Sequence, residues 1–205
     1  MSLLLTVCLR VAITCCLRKL HPNLSLLSCA RCDYPFLNRS HRFTVPRDSS
    51  FNVDAAAVLS KITELGRCIV YLASPNNPTG NCLSTVDLLR ICAADCVVVL
   101  DEAYAEFAQA SLFESAALLD NVIFCRTFSK WAALAGMRVG YCIAHSTFVK
   151  TMMAVKQPYN IPVCSESAAL AALAARDEIM KQVVAIVDER EAMVAQVTFL
   201  LFHPV

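Results

Sequence analysis

Four short apolar runs constrain the fold more than any other feature: Cys68–Ala73, 96–100, 121–125 and 139–144. Each has strand length and lacks a polar/apolar alternation, so each needs cover on both faces. The segments between them carry helix punctuation. Asp54 stands before Ala55–Leu65 as an N-cap, and Gly66 follows it. Ser84 and Asp87 form a capping box that opens a helix to about Ala94. Residues 131–135 read as one short helix. Residues 165–199 contain neither Gly nor Pro and are rich in Ala, Leu, Glu, Lys and Arg, which reads as one or two long helices. Strand and helix in alternation imply an α/β fold of three layers, α/β/α, around a mostly parallel sheet. In such sheets ligands sit beyond the carboxyl ends of the strands.

The charge balance narrows the function classes. Eighteen basic side chains face 17 acidic ones, a net charge of +1, and a nucleic-acid binder would need a basic surplus on one face. The apolar stretch from Met1 is broken by Arg10 and then by Arg18 and Lys19, too soon for a membrane span. Twelve cysteines invite a disulfide reading, but most beyond residue 32 are scattered singly in apolar runs, where Cys behaves as a small hydrophobe. Reduced thiols are the expectation. Cys29 and Cys32 have zinc-knuckle spacing without a second pair, and His21, His41, His145 and His203 share no ligand spacing. No metal site is expected.

Residues 1–42 read differently from the rest. No acidic residue precedes Asp33, against Arg10, Arg18, Lys19 and Arg31. That is the composition of an organelle transit peptide, and equally of a disordered or foreign N-terminus. The expected location is the cytoplasm, or a plastid or mitochondrion if residues 1–33 are an address.

Three polar segments each follow an expected strand: 74–80 (SPNNPTG), 101–104 (DEAY), and 127–130 (TFSK) with 136–140 (GMRVG). If the strands are neighbours, their carboxyl ends bring an amide, a carboxylate, a phenol, an amine, hydroxyls and a guanidinium to one rim. Each residue alone has a plainer reading. Asp101 is a turn or cap residue, Lys130 a solvated lysine, Tyr104 a half-buried aromatic, and Pro75 and Pro78 strand terminators. Arg126 reads as structural, or as a support standing behind the residues of the site.

Taken in order, SPNNPTG, DEAY, RTFSKWAALAGMRVGY and KQPYNIP resemble the fold-type-I pyridoxal-phosphate aminotransferases, and among them the histidinol-phosphate aminotransferases most closely. The resemblance runs from about Val45 to His203. It implies a large-domain fragment of that fold over residues 43–205, with residues 1–42 outside the family, and pyridoxal 5′-phosphate as cofactor. By the resemblance, Lys130 forms the Schiff base and shuttles the proton. Asp101 pairs with the pyridine nitrogen, Asn77 and Tyr104 hold the phenolic oxygen, and Arg138, Thr127 and Ser129 hold the phosphate. Tyr159 lies near the substrate or serves packing.

The same resemblance implies transamination of a phosphorylated keto or amino substrate with glutamate and 2-oxoglutarate, in histidine biosynthesis, by a homodimer where the chain is complete. No nucleic acid or membrane partner is implied. Departures from the pattern are equally specific. The family's glycine-containing phosphate loop has no counterpart in residues 1–42. The chain stops at 202–205, where a small domain with a carboxylate-gripping arginine would begin. The alternatives are therefore a catalytically silent cofactor-binding or interaction protein, an aromatic or aspartate-type aminotransferase, and threonine-phosphate decarboxylase.

Overall fold

The computed structural model describes residues 2–6, 25–28, 42–108, 110–156 and 161–202. The four apolar runs form the strands β4 (Cys68–Ala73), β5 (Cys96–Asp101), β6 (Val122–Thr127) and β7 (Gly140–Ala144). They are joined by β1 (Ser2–Thr6), β2 (Ser25–Ser28) and β3 (Arg42–Thr44). Among the described residues the sheet has seven strands in the order β1-β7-β6-β5-β4-β2-β3. Strands β2 to β6 pair in parallel, while β7 runs antiparallel to both β6 and β1. The segment that the sequence sets apart, 1–42, thus contributes β1, β2 and the first residue of β3. Its other residues, including Cys29, Cys32 and most of the transit-peptide reading, lie outside the described set.

Among the described residues seven helices accompany the sheet: α1 (Ala55–Leu65), α2 (Thr85–Cys92), α3 (Ala105–Ala108), α4 (Phe113–Ala116), α5 (Ser146–Val155), α6 (Val163–Ala174) and α7 (Arg176–Phe202). The caps behave as the residue types demand. Asp54 Oδ1 accepts from the Ala57 amide at 2.9 Å and Ser84 Oγ from the Asp87 amide at 3.1 Å. Gly66 closes α1 at φ 68°, a conformation that a side chain disfavours.

The uninterrupted apolarity of the central strands follows from having two cores. On one face Val70, Leu72, Val98, Leu100 and Phe124 pack with Val58 and Ile62 of α1 and Leu88 and Ile91 of α2. On the other, Ile69, Tyr71, Val99 and Ile123 meet Val149 and Met152 of α5. Burying one such aliphatic side chain contributes about 1.5–3 kcal/mol. A third cluster joins Phe128, Trp131 and Val139 to Ala169 and Ala172 of α6 and Val183 of α7. Past Val187, the side chains of α7 are exposed through Thr198.

The sheet is mostly parallel, as expected, and one expectation meets a correction. Residues 131–135 are not a helix. The Ala133 amide donates to the Lys130 carbonyl at 3.1 Å and Ala133 takes φ 54°, so the chain turns back before a short 3-10 turn at Ala135–Met137. Strand β7 reverses direction because its connection from β6 holds no crossover helix, and parallel pairing needs one. Thr127 instead pairs directly with Gly140, where an added Cβ would stand 3.0 Å from the Arg126 carbonyl oxygen.

Cys68, Cys82, Cys92, Cys96, Cys125, Cys142 and Cys164 are free thiols. Among the described residues no His, Cys, Asp and Glu cluster could hold a metal, and no helix is long and apolar enough to cross a membrane. Burial pushes Cys68 and Cys92 up to about 11, the charge of Asp95 adding to the effect at Cys68. It pushes Cys96 up to about 12, with Cys68, Cys92 and Asp95 adding to the effect. These three thiols hold their protons at neutral pH and are unreactive. Iodoacetamide at pH 8, read by peptide mass mapping, should therefore alkylate exposed Cys82 and Cys164 and leave Cys68, Cys92 and Cys96 unmodified until denaturant is added.

Candidate functional site

Parallel pairing in register sets the rim. Ala73 lies opposite Asp101, and Asp101 opposite Cys125. The ladder continues one step past the strands: the Ser74 amide donates to the Asp101 carbonyl at 3.0 Å and the Glu102 amide to the Cys125 carbonyl at 2.9 Å. The three polar segments consequently leave the sheet side by side, as the sequence reading expected.

The first segment is a closed turn. Ser74, buried, accepts from the Leu83 amide through Oγ at 2.9 Å. Buried Asn76 receives the Gly80 amide on its carbonyl at 2.8 Å, and its Nδ2 donates to Thr79 Oγ1 at 2.8 Å. Gly80 stands at φ 77°, and both X-Pro bonds, Ser74-Pro75 and Asn77-Pro78, are cis. The double Asn therefore divides its work: Asn76 holds the turn, while Asn77 is exposed at the rim. Asn77 Nδ2 donates to Tyr104 Oη at 3.1 Å, across 27 residues of sequence.

Lys130 completes that group. Its Nζ lies 5.2 Å from the centroid of the Tyr104 ring, within range of an attraction between an ammonium and the negative ring face. A tight loop holds it there, with the Leu134 amide donating to the Phe128 carbonyl at 3.1 Å. Phe128 and Trp131, on either side of the Ser129–Lys130 pair, are buried and meet at a tilt of 42° with 5.5 Å between centroids, so the loop is anchored at both ends. Asp101 sits at the end of β5, half-buried, and Oδ1 accepts from the Ala103 amide at 3.1 Å.

The remaining expected site residues are less converged. Thr127 Oγ1 donates to the Val139 carbonyl at 3.2 Å and accepts from the Ser129 amide at 3.0 Å, so its proton is already committed across the β6–β7 turn. Ser129 is half-buried beside it. Arg138 is exposed at φ 56°, and Nη1 donates to the Ala135 carbonyl at 2.9 Å within its own turn. Tyr159 lies outside the described residues. A cavity of about 260 Å³ opens beside Asn77 and Tyr104, lined also by Pro75, Pro78, Phe107 and Arg190.

Sequence reading missed a buried charge network directly behind this rim. Glu102 is 1% exposed. Its Oε2 accepts from Arg126 Nε at 3.0 Å and Nη2 at 2.7 Å, and its Oε1 from the Leu112 amide at 2.7 Å. Arg126 Nη1 reaches Glu106 Oε1 at 3.2 Å, and Nη2 donates to Ser111 Oγ at 2.6 Å. Burial pushes the Glu106 carboxyl up, against the opposing pull of Arg126. At Arg126 burial pulls downward, and the charge and hydrogen bond of Glu102, with Glu106, more than reverse it. Burial also raises Tyr141, which faces Arg126 across the β6–β7 pair. A signal did exist. Side chains alternate along a strand end, so if Asp101 faces the rim, Glu102 points inward and needs a cation.

The profile of the family "Aminotransferase class I and II" matches residues 37–201. Histidinol-phosphate aminotransferase of Roseiflexus castenholzii is 40% identical over 156 residues, 76% of this chain and 42% of that protein. The chloroplastic histidinol-phosphate aminotransferase of Nicotiana tabacum is 38% identical over 173 residues, covering 82% of this chain and again 42% of the relative. The chain thus spans less than half the length of these two relatives. In structure it is similar to the histidinol-phosphate aminotransferase from Sinorhizobium meliloti in complex with pyridoxal-5′-phosphate, with a TM-score of 0.77 and 24% identity over 93% of this chain and 55% of that one.

Removing one partner of the buried pair should be costly. Glu102→Ala strips Arg126 of the partner that holds two of its nitrogens, leaving only the Glu106 carboxylate, and should lower unfolding free energy by about 3 kcal/mol. Adding Arg126→Met and Glu106→Gln in the same chain should recover much of the loss, because no member of the network then keeps an unpaired charge. Urea unfolding midpoints of the two variants against the unaltered chain check both.

Proposed function

The chain belongs to the class I and II aminotransferases, and from that premise we propose that residues 43–205 form the cofactor-binding part of a pyridoxal-phosphate-dependent aminotransferase acting on histidinol phosphate and 2-oxoglutarate. The observation that carries the reading is the convergence of Lys130, Tyr104 and Asn77, 53 residues apart in sequence at the extremes, at the edge of the sheet where β5 ends in Asp101. The substrate pair rests on the names of the relatives in Roseiflexus castenholzii and Nicotiana tabacum. Glutamate as amino donor and a homodimeric assembly belong to the same proposal through the resemblance of the four sequence segments.

The donor set suits the cofactor's chemistry: an amine for an aldehyde, a carboxylate for a ring nitrogen, an amide and a phenol for a phenolate, hydroxyls and a guanidinium for a phosphate. When bound, pyridoxal phosphate supplies a carbonyl that condenses with amines and a ring that withdraws electrons. The rest falls to the protein. Tyr104 Oη accepts the Asn77 amide proton, which leaves the phenol hydrogen to be donated onward, and accepting one bond strengthens the other. Lys130 Nζ, exposed above the Tyr104 ring, has room to act as nucleophile and then to carry a proton from one carbon to another. Asp101, fixed by the Ala103 amide, supplies the negative charge that keeps a proton on a ring nitrogen. Thr127 can offer its hydroxyl hydrogen to a phosphate by releasing the Val139 carbonyl, and Arg138 by releasing that of Ala135.

Mixing the purified chain with pyridoxal phosphate tests the reading. The expected result is an absorbance band above roughly 400 nm that Lys130→Ala abolishes. Turnover of glutamate with imidazole-acetol phosphate is expected on the same sample. A band without turnover narrows the function to cofactor binding, and no band overturns the reading.

A further inference from the structure

The buried network behind the rim links the segment after β5 to the end of β6, just before the lysine loop, through one side chain. Arg126 is the last residue before Thr127 and stands four before Lys130. Its guanidinium binds Glu102, which directly follows Asp101, through two nitrogens, and Glu106, two residues past Tyr104, through the third. The side chains of Arg126, Glu102 and Glu106 are 18%, 1% and 14% exposed. Ser111 Oγ closes the network by bonding both carboxylate oxygens of Glu102 at 3.1 Å while accepting from Arg126.

We infer that Arg126 is a positioning residue for cofactor binding: its guanidinium, forked between Glu102 and Glu106, sets the separation between the DEAY segment and the lysine loop. The inference rests on the proposed function. Stability alone does not account for such a device. Desolvating an ion pair offsets most of its attraction, and apolar residues of similar size would hold the strand ends together at least as well. A planar fork with bonds in fixed directions instead sets a distance and an angle. Glu102 fixes Arg126 to β5 at the position next to Asp101. Glu106 sits in α3, whose first residue follows Tyr104. Moving the guanidinium therefore moves Tyr104 and Asp101 relative to Lys130. Tyr141, opposite Arg126 in β7, closes the fourth side.

Arg126→Lys keeps the charge and removes the fork, which makes it the discriminating variant. The readout is the pH midpoint of the cofactor's visible absorbance in the loaded 205-residue chain, together with cofactor affinity and the melting temperature. A positioning role predicts a midpoint shift of about one pH unit and about tenfold weaker cofactor binding in protein that is still folded. A lower melting temperature with midpoint and affinity unmoved would reduce Arg126 to a structural residue and overturn the inference. Should Arg126→Lys fail to fold, Glu106→Gln preserves shape and an acceptor oxygen while removing one arm's charge. Its midpoint should move as well, and an unmoved midpoint overturns the inference too. Absence of the band in the unaltered chain overturns the cofactor reading and this inference together. A band present in both chains with identical titration overturns only the latter.

Discussion

Parallel pairing of β4, β5 and β6 in one register is the constraint on which everything else depends. Because Ala73, Asp101 and Cys125 lie abreast, the chain must leave the sheet three times along the same edge. What it carries at those exits is forced into proximity. A shift of one residue in any strand would turn its side chains to the opposite face and dissolve the group. The apolar cover on both faces enforces the register: Ile69 and Val70 each have a core to enter, and neither tolerates the other's place.

That edge is also where the molecule accepts unfavourable local structure. Arg138 and Ala133 hold positive φ without being glycine. A carboxylate with 1% exposure lies one residue from Asp101. Each costs stability in isolation, and each is compensated by neighbours: Ala133 by its bond to the Lys130 carbonyl, Glu102 by Arg126, Ser111 and the Leu112 amide. Strain that is held in place by surroundings gathers where geometry matters most. Among the described residues, two of the three non-glycine positions with positive φ, Ala133 and Arg138, follow Lys130 by three and eight residues, while the third, Phe51, stands elsewhere in the sequence.

The sequence revealed much of the fold because the signals were local. Asp54 and Ser84 mark helix starts by offering an oxygen to amides three residues on, which needs no tertiary partner. The turn at 74–80 follows from two prolines and a glycine. The reading failed where the deciding contact was distant. Residues 131–135 have helix-forming composition, yet burial of Phe128 and Trp131 against α6 and α7 draws the loop into a turn. Arg126, whose sequence context leaves a structural and a supporting role equally open, owes its environment to residues 15 to 24 positions away.

By itself the sequence determined the identity and order of the chemical groups, the strand and helix segments, and the likeness to a family. Those depend on periodicity, capping and composition, which act over a few residues. The tertiary structure alone decided that β7 runs backwards, that Asn77 rather than Asn76 meets Tyr104, that Lys130 stands over the Tyr104 ring, and that one guanidinium ties Glu102 to Glu106. Those are meetings between residues far apart in the chain, and only the packing of the sheet against its helices selects them.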